Sequence, residues 1–126
     1  MNTVAWVFLG GGLGSAARFL VTTGIARLLG QGHPIGTLAV NIVGCLFIGF
    51  LTLVFLERMP DAQGARLFAI TGFLGGFTTY SAYALDIVTL MQKGETTEAL
   101  VYALGTMTIC VMACIAGMVA ARVVLA

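Results

Sequence analysis

The sequence predicts an all-α integral membrane protein, a single transmembrane domain over residues 1–126 with four helices. Three observations carry that prediction. Of the 126 residues, 60% are hydrophobic and 9% are charged, whereas a soluble domain is about 45–50% apolar with glycine included and about 25% charged. Six basic and five acidic side chains cannot cover a water-facing surface. The charges also fall in clusters, and the uncharged runs between them are long enough for membrane spans of about 20 residues. The segments joining these runs are short and hold the glycine or proline expected of turns. This composition excludes a secreted disulfide scaffold, a disordered tail and an ordinary cytosolic enzyme.

The first helix is expected over about 4–28, apolar from Val4 and uncharged up to Arg18. Its N-terminus does not read as a cleavable signal, because it lacks a basic leader and the apolar run continues through a glycine cluster. Gly30-Gln31-Gly32-His33-Pro34 makes the first turn, and the second helix follows over about 35–56. The cluster Glu57, Arg58, Asp61 and Arg66 surrounds the second turn, Met59-Pro60-Asp61-Ala62-Gln63-Gly64. The third helix is expected over about 66–92, and Lys93-Gly94-Glu95-Thr96-Thr97 links it to a fourth over about 98–123. Backbone groups in hydrocarbon must pair within the protein, and the alternating polarity of a barrel is absent, so helices are the spanning form.

Four spans place both termini on one face. That face carries Arg58, Arg66 and Arg122; the other carries Arg27 and Lys93. Orientation follows such cation differences, and three against two is almost none. A chain that inserts both ways would show this balance, and so would a short chain with few charges. A net charge of +1 with no basic run argues against a nucleic-acid partner. Cys110 and Cys114, at i and i+4, make half a metal site, but no histidine or acid lies near them in sequence. All three cysteines, Cys45 included, therefore read as small buried hydrophobes. No constellation of nucleophile, base and acid supports an enzyme.

Three features inside the spans call for more than lipid-facing filler. Arg18 follows Gly10-Gly11-Gly12-Leu13-Gly14 in the first helix. An arginine deep in a span costs about 2.5–3.5 kcal/mol on insertion scales, so it is read as facing protein or an ion rather than snorkelling. Gly10 and Gly14 are four apart, which suits close helix packing. Asn41 in the second helix either bonds helices together or lines a polar path. The third feature is Thr71-Gly72-Phe73-Leu74-Gly75-Gly76-Phe77-Thr78-Thr79-Tyr80-Ser81-Ala82-Tyr83. Paired glycines and a dense hydroxyl run disfavour a continuous helix. A break there frees carbonyls and amides, which serve as ion sites in discontinuous membrane helices. Tyr80 and Tyr83 share a helix face, and ring edges are electropositive; the plainer reading is a glycine-rich packing face with two aromatics.

At these residues the chain resembles the small fluoride channel family, Fluc or CrcB. The likeness lies in G-x-x-x-R (Gly14 to Arg18), G-T-L-x-V-N (Gly36 to Asn41) and T-G-F-x-G-G-x-T-T (Thr71 to Thr79), in order and at matching spacing. It implies an antiparallel, dual-topology homodimer with two fluoride pores and a structural sodium ion at the interface. Carried over by position, the resemblance makes the carbonyls of Gly75 and Thr78 the sodium ligands, two from each subunit. It makes Asn41 a pore-lining donor and matches Tyr80 and Tyr83 to two phenylalanines whose edges contact fluoride. Ser81 falls in the same segment. Tyr102, Thr106 and Cys110 fall on a polar track of the fourth helix, and Arg18 near a vestibule, where it attracts anions or braces the fold.

The chain departs from that pattern where the family reads F-S-T-F-S-x-E. Here the run is Tyr80-Ser81-Ala82-Tyr83-Ala84-Leu85-Asp86. A phenol hydroxyl then either replaces the lost threonine donor or narrows the path. The implied function is passive export of fluoride across the inner (plasma) membrane, giving fluoride resistance. The potential, about 2.3 kcal/mol per charge per 100 mV, drives the anion out. The alternatives are a small proton-coupled multidrug exporter, which needs a membrane-embedded acid that the first helix lacks, and a non-conducting partner subunit of a heterodimeric channel.

Overall fold

The computed structural model describes residues 2–126, and among them every regular element is helical. Helix α1 spans Thr3–Leu29, α2 Ile35–Arg58 and α6 Thr96–Leu125. At about 1.5 Å per residue these are roughly 36–45 Å long, and all three are long and apolar enough to cross a membrane. Each runs slightly past the expected bounds, because charged residues such as Arg58 continue the last turn instead of ending it. Asn2 caps α1, its side chain accepting from Val4 N at 2.9 Å. Gly30 and Gly94 end their helices with φ of 86° and 80°, which glycine adopts without the clash a Cβ brings.

The third expected span is not one helix. It consists of α3 (Gln63–Arg66), a π-helical stretch Leu67–Leu74, α4 (Gly75–Phe77) and α5 (Tyr80–Gln92). Gln63 and Gly64, assigned above to a turn, are already helical. A Cβ on Gly64 would lie 2.6 Å from the Trp6 indole nitrogen, so the glycine lets α3 pack onto α1. The interruption falls within the expected stretch, but not at the glycine pair. Gly75 stays helical at φ −62°, ψ −38°. The chain becomes extended at Thr78 (φ −84°, ψ 157°) and Thr79 (φ −150°, ψ 118°).

Glycine and small residues hold the bundle together, because lipid offers no hydrophobic drive for burying large side chains between helices. Gly10 and Gly14 of α1 lie directly against backbone of Phe68 and Phe73, and Gly72 against Gly10. Gly76 faces Gly11 and Ser15 so closely that a Cβ would come within 2.5 Å of the Gly11 carbonyl. The close-packing role expected of Gly10 and Gly14 is therefore seen, and extends to the facing segment. Large apolar side chains point outward instead: Phe8 is 77% exposed and Leu28 85%.

Helices α2 and α6 run parallel in a fixed register. His33, beside the start of α2, meets Glu98, 65 residues later. Gly49 meets Cys114 at the same offset, and Arg58 at the far end donates to the Leu125 carbonyl. Helix α5 leans on α6 through a small core of Leu90, Ala99 and Tyr102. The interrupted segment thus lies between α1 on one side and the α2–α6 pair on the other.

Candidate functional site

Where the chain breaks, Asn41 of α2 stitches it. Its Nδ2 donates to the Thr79 carbonyl at 3.0 Å, and the Thr79 amide donates to its Oδ1 at 2.7 Å. Both polar groups of one peptide residue are satisfied by one carboxamide, in the two-point geometry that a planar amide permits. Asn41 is only 8% exposed, so this pairing shields groups that would otherwise be costly to bury. Of the two roles left open for Asn41, helix bonding is the one the contacts display. Its second N–H remains uncommitted.

Thr79 also starts the next helix: its hydroxyl accepts from the Ala82 amide at 3.1 Å, as an N-cap does. These bonds have a consequence for the carbonyls. In a continuous helix the Gly75 carbonyl accepts from residue 79 and the Thr78 carbonyl from residue 82. Those two amides are committed to Asn41 and to the Thr79 hydroxyl. Gly75 and Thr78 are therefore left with main-chain oxygens lacking their helical donors, and Gly75 lies on the exposed face of the chain. The intervening Gly76 carbonyl is occupied by Arg18, whose Nε donates to it at 3.0 Å. Ser15 Oγ approaches the same oxygen at 3.5 Å. Arg18 thus caps the C-terminal end of α4, where a cation complements the helix dipole, and faces protein as expected rather than snorkelling.

A cavity of about 340 Å³ opens beside the break. Asn41 and Cys45 of α2, Thr78, Thr79, Tyr80 and Tyr83 line one side, and Thr106 and Cys110 of α6 the other. Thr106 is 5% exposed and its hydroxyl has no hydrogen-bond partner. This sets it apart from Thr52, Thr78, Thr89 and Thr108, each of which donates to the carbonyl four residues earlier. Ser81, Arg18 and Gly75 lie outside the cavity lining. Tyr102 also does not line it, but its ring packs on Tyr83 at 5.5 Å, and Tyr83 packs on Tyr80 at 5.5 Å.

Two of the three phenols are already engaged. Tyr83 OH donates to the Ala103 carbonyl at 2.6 Å, and Tyr102 OH to Asp86 Oδ2 at 3.1 Å. Tyr83 therefore does not supply a free hydroxyl proton in place of the missing threonine. Tyr80 is 81% exposed. The cysteines also differ from expectation: all three are half-buried rather than enclosed, and two of them, Cys45 and Cys110, face the cavity. Sequence reasoning also missed the pairing of His33 Nδ1 with Glu98 Oε1 at 2.7 Å. Nothing in local sequence links residues 65 apart; only the helix register does.

A family model described as "CrcB-like protein, Camphor Resistance (CrcB)" matches residues 5–118. The chain is 47% identical over 121 residues to a protein of Paracoccus denitrificans named fluoride-specific ion channel FluC, covering 96% of this chain and 95% of that one. Proteins of the same name from Nitrobacter winogradskyi and Aquifex aeolicus are 40% and 43% identical. Those matches cover 94% and 84% of this chain, and 98% and 86% of the relatives.

Proposed function

The chain belongs to the CrcB-like family, and from that premise we propose that it is a passive fluoride channel of the inner (plasma) membrane. The observation that carries this reading is the 47% identity, over 96% of the chain, to a protein named as a fluoride-specific ion channel. The cavity supports it chemically. Selecting fluoride requires replacing a tight hydration shell with donors at close range. The unpartnered Thr106 hydroxyl and the second N–H of Asn41 are such donors. The edges of the Tyr80 and Tyr83 rings add weak positive potential, while the Tyr83 hydroxyl braces α5 against α6. The proton-coupled exporter is disfavoured, since α1 holds Arg18 and no acid, and Asp86 accepts from Tyr102.

In this reading the interrupted segment is the third span, and two copies pair antiparallel with one pore in each half. The near balance of cations between the two faces supports insertion both ways. The exposure of Gly75 and Tyr80 suits a face covered by a second copy. Gly75 and Thr78 would hold the sodium ion. Their donor-free carbonyls suit a hard cation, and at a two-fold axis each oxygen recurs from the second copy. The ion would supply positive charge between two sets of helix C-terminal carbonyls.

The test is fluoride release from liposomes holding the purified protein, read with a fluoride electrode after the potential is shunted. Efflux without a proton gradient, and much faster than for chloride, is the expected result. Efflux that requires a proton gradient, or no efflux at all, overturns the reading. Replacing sodium by a large organic cation on both sides should stop flux reversibly, and flux indifferent to sodium would remove the ion from the scheme.

A further inference from the structure

The α2–α6 register sets two cysteines face to face. The offset of 65 residues that joins His33 to Glu98 and Gly49 to Cys114 also aligns Cys45 with Cys110. Both line the same cavity and both are half-buried. Cys114 lies one turn beyond Cys110 on α6 and does not line the cavity. The spacing that looked like half a metal site, Cys110 with Cys114, is therefore not the relevant pair.

The donor set decides what such a site takes. Among the described residues no group of three His, Cys, Asp or Glu side chains converges, so a tetrahedral zinc site is excluded. Two sulfurs without a third strong ligand suit a soft cation that is stable in two-coordinate geometry, because soft thiolates select soft metals. With metal–sulfur bonds of about 2.3 Å, a linear bridge spans about 4.6 Å, a gap that neighbouring thiols on packed helices close by rotamer adjustment. We propose that Cys45 and Cys110 form a dithiol site for a two-coordinate thiophilic metal ion of the Hg²⁺ class, and that the bound ion occludes the cavity. The reaction is balanced without any redox partner. Two S–H bonds break, two metal–sulfur bonds form, and two protons pass to water.

Only the occlusion rests on the channel reading, so the test has two separable arms. The purified protein in detergent is given one equivalent of Hg²⁺ in the presence of a competing monothiol, then labelled with a maleimide and mapped by peptide mass. Cys45 and Cys110 should be protected together while Cys114 labels fully. Cys114→Ser should retain the protection, and Cys45→Ser should lose it at least tenfold at the same competitor concentration. Protection of one thiol alone, or of Cys110 with Cys114, overturns the site. In vesicles, Hg²⁺ should arrest fluoride efflux and a dithiol should restore it; undiminished efflux with both thiols protected overturns the occlusion. Absence of efflux before metal is added would count against the channel function, and the labelling result would still decide the site.

Discussion

The bidentate contact between Asn41 and Thr79 makes one substitution unusually informative. Replacing Asn41 by Asp keeps an acceptor for the Thr79 amide, now held at 2.7 Å from Oδ1, and removes the donor that sits 3.0 Å from the Thr79 carbonyl. The Thr79 carbonyl keeps the first bond of α5 as its N-cap oxygen and loses only its second donor, about 1 kcal/mol. This and the partial desolvation of the carboxylate are in part offset by the stronger bond from the Thr79 amide to a carboxylate. Asn41→Asp should therefore fold, with a melting point lowered by only a few degrees. Asn41→Ala leaves the buried Thr79 amide with no partner and takes one of two donors from the carbonyl, about 2–4 kcal/mol by the same reckoning, so it should be the less stable protein. Flux should rank the other way. A carboxylate on the cavity wall repels an anion about 4 Å away by about 4 kcal/mol at an effective dielectric constant near 20, roughly a thousandfold in rate. Thermal melts in detergent, followed by Trp6 fluorescence, and electrode-measured efflux from liposomes give the two readings. The reasoning fails if Asn41→Ala is as stable as the parent, or if folded Asn41→Asp conducts within tenfold of it.

The remaining predictions follow from single contacts. Thr106→Val keeps the shape but deletes the hydroxyl without a partner. Stability should hold or rise, and fluoride flux should fall about tenfold to a hundredfold, the loss of one hydrogen bond to a charged group. Tyr83→Phe removes the bond to the Ala103 carbonyl and should cost about 1 kcal/mol of stability, with flux within a few-fold of the parent in the liposome assay. Gly76→Ala drives a methyl to within 2.5 Å of the Gly11 carbonyl, whereas Gly75→Ala meets nothing nearer than 3.8 Å. The first should lower the melting temperature through a destabilisation of about 1–3 kcal/mol; the second should leave the single-chain fold intact, and a fall in its melting temperature would come from the face covered by a second copy.

Much of the fold is legible from residue order. Apolar runs bounded by charges identify α1, α2 and α6 to within two residues at every end, because hydrophobic length and turn residues act locally. Glycine spacing in α1 pointed to close packing for the same reason. The location of the interruption was less legible. The glycine pair carried the obvious signal, yet Gly75 and Gly76 remain helical because α1 requires their small size. The chain opens at Thr78–Thr79, where Asn41 can satisfy the exposed peptide. The roles of Arg18 and Tyr83 were likewise hidden, since a side chain's partner 58 or 20 residues away leaves no mark in its own neighbourhood.

The sequence by itself determined that this chain is a helical membrane protein, where its long helices lie, and the family to which it belongs. Those properties depend on composition, on periodicity over a few turns and on motif order, all of which are local. Only the tertiary structure decided which carbonyls lose their donors, which threonine hydroxyl stays free and which cysteines face each other. Each of these depends on one helix meeting another at a particular register. In a bundle held by glycine contacts, that register is fixed by the fit of backbone against backbone along whole helices.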